Sequence, residues 1–150
     1  MFLGCNKQTL KKSDFQEVDF TEKQKIQVVI KNEIYNVMVS FNEDNEFTFI
    51  FLDEAPVTYK NLLVEVKNDI CTVTGNGLVF EKNINEFNND FLPKIIYIFL
   101  CETDFNNADF IYNVSEKSCL TEKMVCEKNI VFTVQLSLDG TTQNYTLEVR

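Results

Sequence analysis

Ile26-Gln27-Val28-Val29-Ile30-Lys31-Asn32-Glu33-Ile34-Tyr35-Asn36-Val37-Met38-Val39-Ser40-Phe41 is the stretch that decides the fold class. Side chains alternate across an extended chain, so Ile26, Val28 and Ile30 share one face of a strand, and Tyr35, Val37, Val39 and Phe41 share one face of the next. Lys31-Asn32-Glu33 between them reads as a tight turn, and Asn42-Glu43-Asp44-Asn45 as the turn that follows. The pattern predicts a β-meander.

The meander continues on both counts, apolar alternation and turn residues. Glu46 to Leu52 places Phe47, Phe49 and Phe51 on one face and Thr48, Ile50 and Leu52 on the other, so one side can pack a core while the other meets a second apolar body. Asp53-Glu54-Ala55-Pro56 ends that strand, since proline cannot donate to a sheet. Short strands are expected at Leu62 to Lys67, Ile70 to Thr74 and Leu78 to Phe80. The period then changes: Phe91, Leu92, Ile95, Ile96, Phe99 and Leu100 recur at helical spacing, predicting one helix within Asn88 to Phe105, capped by Asn89 or Asp90 with Pro93 in its first turn. Strands return at Ala108 to Val114, Met124 to Cys126, Ile130 to Leu138 and Gln143 to Val149, the last two joined at Asp139-Gly140. Residues 25–150 thus read as one β-rich α+β domain, a size that buries roughly 70% of the unfolded surface.

Composition excludes several classes of function. Lys and Arg total 14 against 23 Asp and Glu, a formal charge of −9, and the basic residues are scattered, so a polyphosphate backbone is repelled. The chain has no His, which removes the triads that rely on it and the side chain best suited to proton transfer at neutral pH. Asp53-Glu54 could pair as acid and base, but carboxylates in a turn beside Pro56 are ordinary solvated turn residues. No glycine-rich phosphate loop can be built from the four Gly. No catalytic residue, cofactor or metal is assigned, and the expectation is a protein that is not an enzyme. Cys71, Cys101, Cys119 and Cys126 allow three disulfide pairings, without His or a CxxC pair to suggest zinc, and read most simply as buried thiols.

The chain opens Met1-Phe2-Leu3-Gly4-Cys5 and turns polar at Asn6. Leu3-Gly4-Cys5 looks like the end of a bacterial lipobox, whose cysteine carries the lipid anchor, although the basic and apolar regions of a full signal are missing. Residues 1–24 then read as a lipobox remnant with a polar tether. This places the protein outside the cytoplasm, in the cell envelope, held to a membrane through a lipidated Cys5.

From Val28 to Val149 the chain resembles the LolA/LppX-like bacterial envelope lipoproteins, the lipoprotein-carrier fold group. The residues that carry the resemblance are Ile34-Tyr35-Asn36-Val37, Phe47-Thr48-Phe49-Ile50-Phe51, Pro56 with Lys60-Asn61-Leu62, Gly75-Asn76-Gly77-Leu78-Val79-Phe80, the single mid-chain helix, and Leu136-Ser137-Leu138-Asp139-Gly140-Thr141. The resemblance implies an antiparallel sheet curled into a half-barrel, with the helix as a lid over a concave apolar face that shields an acyl chain. Phe47, Phe49, Phe51, Val64, Val66, Phe80, Ile96, Phe99 and Leu100 form the candidate ligand face; the plainer reading of the same residues is a filled core, since a helix on a sheet is the ordinary way to bury such faces. The expected function is a membrane-anchored, monomeric lipoprotein that binds a hydrophobic ligand or lipid. The alternative is an extracytoplasmic interaction or sensor module with a filled core, which meets an envelope protein through a sheet edge or its acidic surface.

Overall fold

The computed structural model describes residues 9–52 and 62–150. Cys5 and its lipobox, the strand end at Asp53, Glu54 and Pro56, and Lys60-Asn61 lie outside the described residues.

Alternating apolar side chains give ten strands: β1 (Gln24–Ile30), β2 (Glu33–Phe41), β3 (Phe47–Phe51), β4 (Leu63–Lys67), β5 (Ile70–Gly75), β6 (Leu78–Asn83), β7 (Ile111–Asn113), β8 (Ser118–Val125), β9 (Lys128–Leu136) and β10 (Gln143–Val149). The helix α1 (Leu92–Glu102) stands between β6 and β7. All ten strands form one sheet in the order β6-β5-β4-β3-β2-β1-β10-β9-β8-β7. Two antiparallel meanders, β1–β6 and β7–β10, meet at its centre, where β1 runs parallel to β10 with Ile26 opposite Tyr145 and Val28 opposite Leu147.

Four hairpins close on two residues with positive φ at both positions: Lys31-Asn32, Asn68-Asp69, Asn76-Gly77 and Cys126-Glu127. That is the turn whose twist matches the flanking strands, and Asn, Asp and Gly enter it at little steric cost. Between β2 and β3 the Asn42 side chain does the same work, its Oδ1 accepting from the backbone N–H of Asp44 and Glu46.

The sheet departs from the expected half-barrel. It is neither closed nor strongly curled, β6 and β7 ending it as separate edges, and its β1–β10 pair is parallel where the resemblance implies an all-antiparallel sheet. Curling is not needed to bury its apolar face, because α1 covers that face directly. The helix is also shorter than Asn88 to Phe105, and its N-cap is Phe91, with Pro93 in the first turn. Asn89 and Asp90, the expected caps, are used otherwise, and Asp90 pairs with the Lys128 ammonium. Asn88 Oδ1 accepts from the Asp90 N–H, and Asn89 Oδ1 accepts from the buried Lys94 ammonium, which also donates to the carbonyls of Phe87 and Asn85. Those oxygens compensate a charge that is 6% exposed and fasten the segment before the helix to its first turn.

Almost every residue of α1 from Leu92 to Leu100 is buried, with Ile98 half-buried, as befits a helix apolar on most of its circumference. Tyr97 meets Phe47 edge-on at 5.6 Å, and Phe99 lies 5.7 Å from Phe132 of β9. Phe20, in the polar stretch ahead of β1, belongs to the same core at 5% exposure and touches Phe105, Phe132 and Tyr145.

Candidate functional site

The face drawn from the sequence is brought together almost completely, and it is filled. Phe47, Phe49, Phe51, Val64, Val66, Ile96, Phe99 and Leu100 are all buried in one continuous core between the sheet and α1. The Phe49 and Phe51 rings pack edge-to-face at 4.9 Å. Phe80 stands apart: it lies on the edge strand β6, 53% exposed, against Phe87 at 6.0 Å. Nor is the opposite face of β3 bare, with Thr48 and Ile50 half-buried and Leu52 exposed.

An apolar cavity occurs elsewhere, over the second meander. It measures about 230 Å³ and lies between the segment Lys12–Val18, the loop after α1 and the inner side of β7–β9. Phe15, Phe105, Phe110 and Tyr112 form its walls, and Cys119 and Val134 its floor. The Phe15 and Tyr112 rings are 5.8 Å apart.

Local chemistry explains why the segment crosses there. A turn of 3-10 helix at Lys12–Asp14 is closed by the Asp14 carboxylate accepting from the Lys11 N–H. Next, one side-chain amide holds the backbone of Gln16 at both groups: Gln143 Oε1 accepts from the Gln16 N–H at 2.9 Å, and Gln143 Nε2 donates to the Gln16 carbonyl at 3.0 Å. The same Nε2 donates to the hydroxyl of the buried Tyr145. Gln16 in turn donates to the Thr141 carbonyl, and the Lys12 ammonium to the Asn106 carbonyl. The segment is therefore strapped to the β9–β10 turn and to the loop after the helix.

The thiol and the phenol that line the cavity are uncharged at neutral pH. Burial pushes the Cys119 thiol up to about 11, so it is protonated at neutral pH and behaves as a small apolar group. Burial also raises the Tyr112 hydroxyl, with the neighbouring Cys119 acting in the same direction. Lys12 and Glu17 are the charged residues of the lining, and Gln16 and Asn106 its neutral polar ones. The arrangement can hold an apolar group against aromatic walls; it carries no activated nucleophile, because a thiol at about 11 supplies almost no thiolate.

A wider cleft of about 480 Å³ beside it collects Glu102, Asp104, Asp109 and Glu122. Among the described residues no group of three or more Cys, Asp or Glu side chains is placed to hold a metal ion, and no helix is long and apolar enough to cross a membrane. Cys71, Cys101, Cys119 and Cys126 are free thiols; Cys71 and Cys119 are buried as expected, but Cys126 is only half-buried and Cys101, near the end of α1, is exposed.

Phe15, Val18 and Tyr112 were not among the residues the sequence singled out. The signal was present but weak: Phe15, Val18 and Phe20 are isolated apolar residues in a polar run, without the regular period that marks a strand or helix. No protein family, curated protein or solved structure matches the chain.

Proposed function

We propose that this chain is a non-catalytic binding domain of the cell envelope, tethered through Cys5, that holds a small hydrophobic ligand. The ligand would sit in the cavity beneath the Lys12–Val18 segment and not on the Phe47–Phe51 face. What carries the reading is the cavity itself: about 230 Å³ walled by four aromatic rings. An apolar cavity of roughly 150 Å³ already stays dry and takes up benzene, whereas drug-sized ligands occupy about 300–1,000 Å³. The volume therefore suits one ring or a short stretch of a single hydrocarbon chain. The wider identity, a carrier lipoprotein resembling the LolA/LppX group, is part of the same proposal and rests on the sequence features given above.

The test is native mass spectrometry of the full chain after incubation with a membrane lipid extract. One bound amphiphile or aromatic molecule per chain is expected, lost in Val134→Phe, which fills the floor of the cavity. Aromatic side-chain NMR shifts of Phe15 and Tyr112 supply a readout that does not depend on the variant folding, and bound ligand should move them. A bare chain mass together with unmoved Phe15 and Tyr112 resonances would overturn the reading.

A further inference from the structure

A different part of the molecule is built to meet a protein. β6 is the terminal strand of the sheet, and Leu78, Val79 and Phe80, three consecutive residues, are 74%, 68% and 53% exposed. Its register fixes where its backbone points. The two-residue turn Asn76-Gly77 makes Gly75 and Leu78 a hydrogen-bonded pair, and pairs alternate from there, so Leu78, Phe80 and Lys82 spend their N–H and C=O groups on β5. Val79 and Glu81 direct theirs outward, where a further strand would lie.

Exposed edges are usually blunted, by shortness or by a projecting lysine. The opposite edge follows the rule, since β7 has three residues. β6 has six, and its lysine does not project: the Lys82 ammonium is drawn over the rings of Phe80 and Phe87, at 5.4 and 4.6 Å. The edge thus keeps its free backbone groups and its apolar side chains together.

Charge selects the occupant. On the outer face Glu81 and Glu65 flank Thr72, and the chain as a whole carries −9. A second copy would bring the same charge, and a six-residue strand is too short to bury the roughly 1,200 Å² of a stable interface. We infer that β6 receives an extended segment of a partner protein by strand addition, with an apolar residue beside Phe80 and a basic residue beside Glu81. This inference does not depend on the cavity or on its ligand.

The probe is the peptide acetyl-Thr-Val-Lys-Val-Lys-Val-Thr-amide, titrated into the full chain and followed by backbone amide shifts and hydrogen exchange. Saturable shifts at Val79 and Glu81 are expected, with slower exchange of both amides. The same peptide with Glu in place of Lys should bind about tenfold more weakly or worse, like charges being opposed. Val79→Pro removes one outward N–H without touching the β5 ladder and should abolish binding; Val79→Lys keeps the N–H and should weaken it through charge and lost apolar contact. Shifts that are absent or fall elsewhere, equal binding of the two peptides, or undiminished binding by Val79→Pro would overturn the inference. So would concentration-dependent self-association through β6, which would assign the edge to a second copy.

Discussion

Cys71 and Cys119 occupy matching places in the two meanders, on the inner face and out of reach of water, and burial raises each thiol from an ordinary 9.0 to about 11. At Cys71 the Lys82 ammonium opposes the shift without cancelling it. For a thiol the charged form is the thiolate, so a raised value means that the folded state holds its proton more tightly than the unfolded state does. Between about 9 and about 11 the unfolded chain therefore binds fewer protons than the folded one, and stability must fall as pH rises through that window. Below about 9 the contribution is complete. Thermal unfolding from pH 7 to 11 should show Tm declining above pH 9, and the double variant Cys71→Val, Cys119→Val should flatten the decline. An equal slope in both proteins would mean that other groups cause it. The same burial matches the sequence reading of these two cysteines as buried thiols: Cys71, between Ile70 and Thr72-Val73, has the pattern of any core residue of a strand.

Hairpins were the most legible elements because everything that specifies them is local. Lys31-Asn32, Asn68-Asp69 and Asn76-Gly77 announce their turns by composition, and the strands they join were found with small shifts of their ends. Cys126-Glu127 shows the limit. It adopts the same conformation, φ 51° and 66°, with residues that favour neither position, so Cys126 was read as the end of a strand and β8 was recognised only at Met124 to Cys126. The charged pair Glu122-Lys123 in mid-strand hid the alternation further. Local strain of this kind can be relieved. Replacing Cys126→Asn and Glu127→Gly together should stabilise the protein by about 1 kcal/mol, the two side chains being those the turn prefers. For a chain of this size that corresponds to a Tm increase of about 2–4 °C. No increase would mean that the β8–β9 register, not the turn, sets the conformation. The helix was legible for the same local reason, and its cap was not, because Asn89 is recruited by Lys94 and Asp90 by Lys128, a requirement of tertiary packing.

The joint between β1 and β10 lies beyond local signals, since nothing in either strand names a partner at the other end of the chain. The cavity escaped for a related reason: it forms between a strap, a loop and a sheet, each contributing two or three apolar residues. The candidate face, by contrast, was legible as a set of inward-pointing side chains, while whether helix α1 would fill the space above it depended on distances that a sequence does not contain. The joint makes the two meanders one cooperative body, so amides of β1 and β10 should exchange with solvent only through global unfolding, and those of the short edge strand β7 through local opening. Fast exchange along β1 and β10 would show that the meanders open separately. Consider finally the order in which this chain is made. β1, enclosed on both sides in the finished sheet, leaves the ribosome long before the strand that will cover its second flank, and pairings so distant in sequence form slowly. Until β10 emerges, the innermost strand of the protein is its most dangerous edge, and a newborn chain depends on whatever shields that edge from its neighbours.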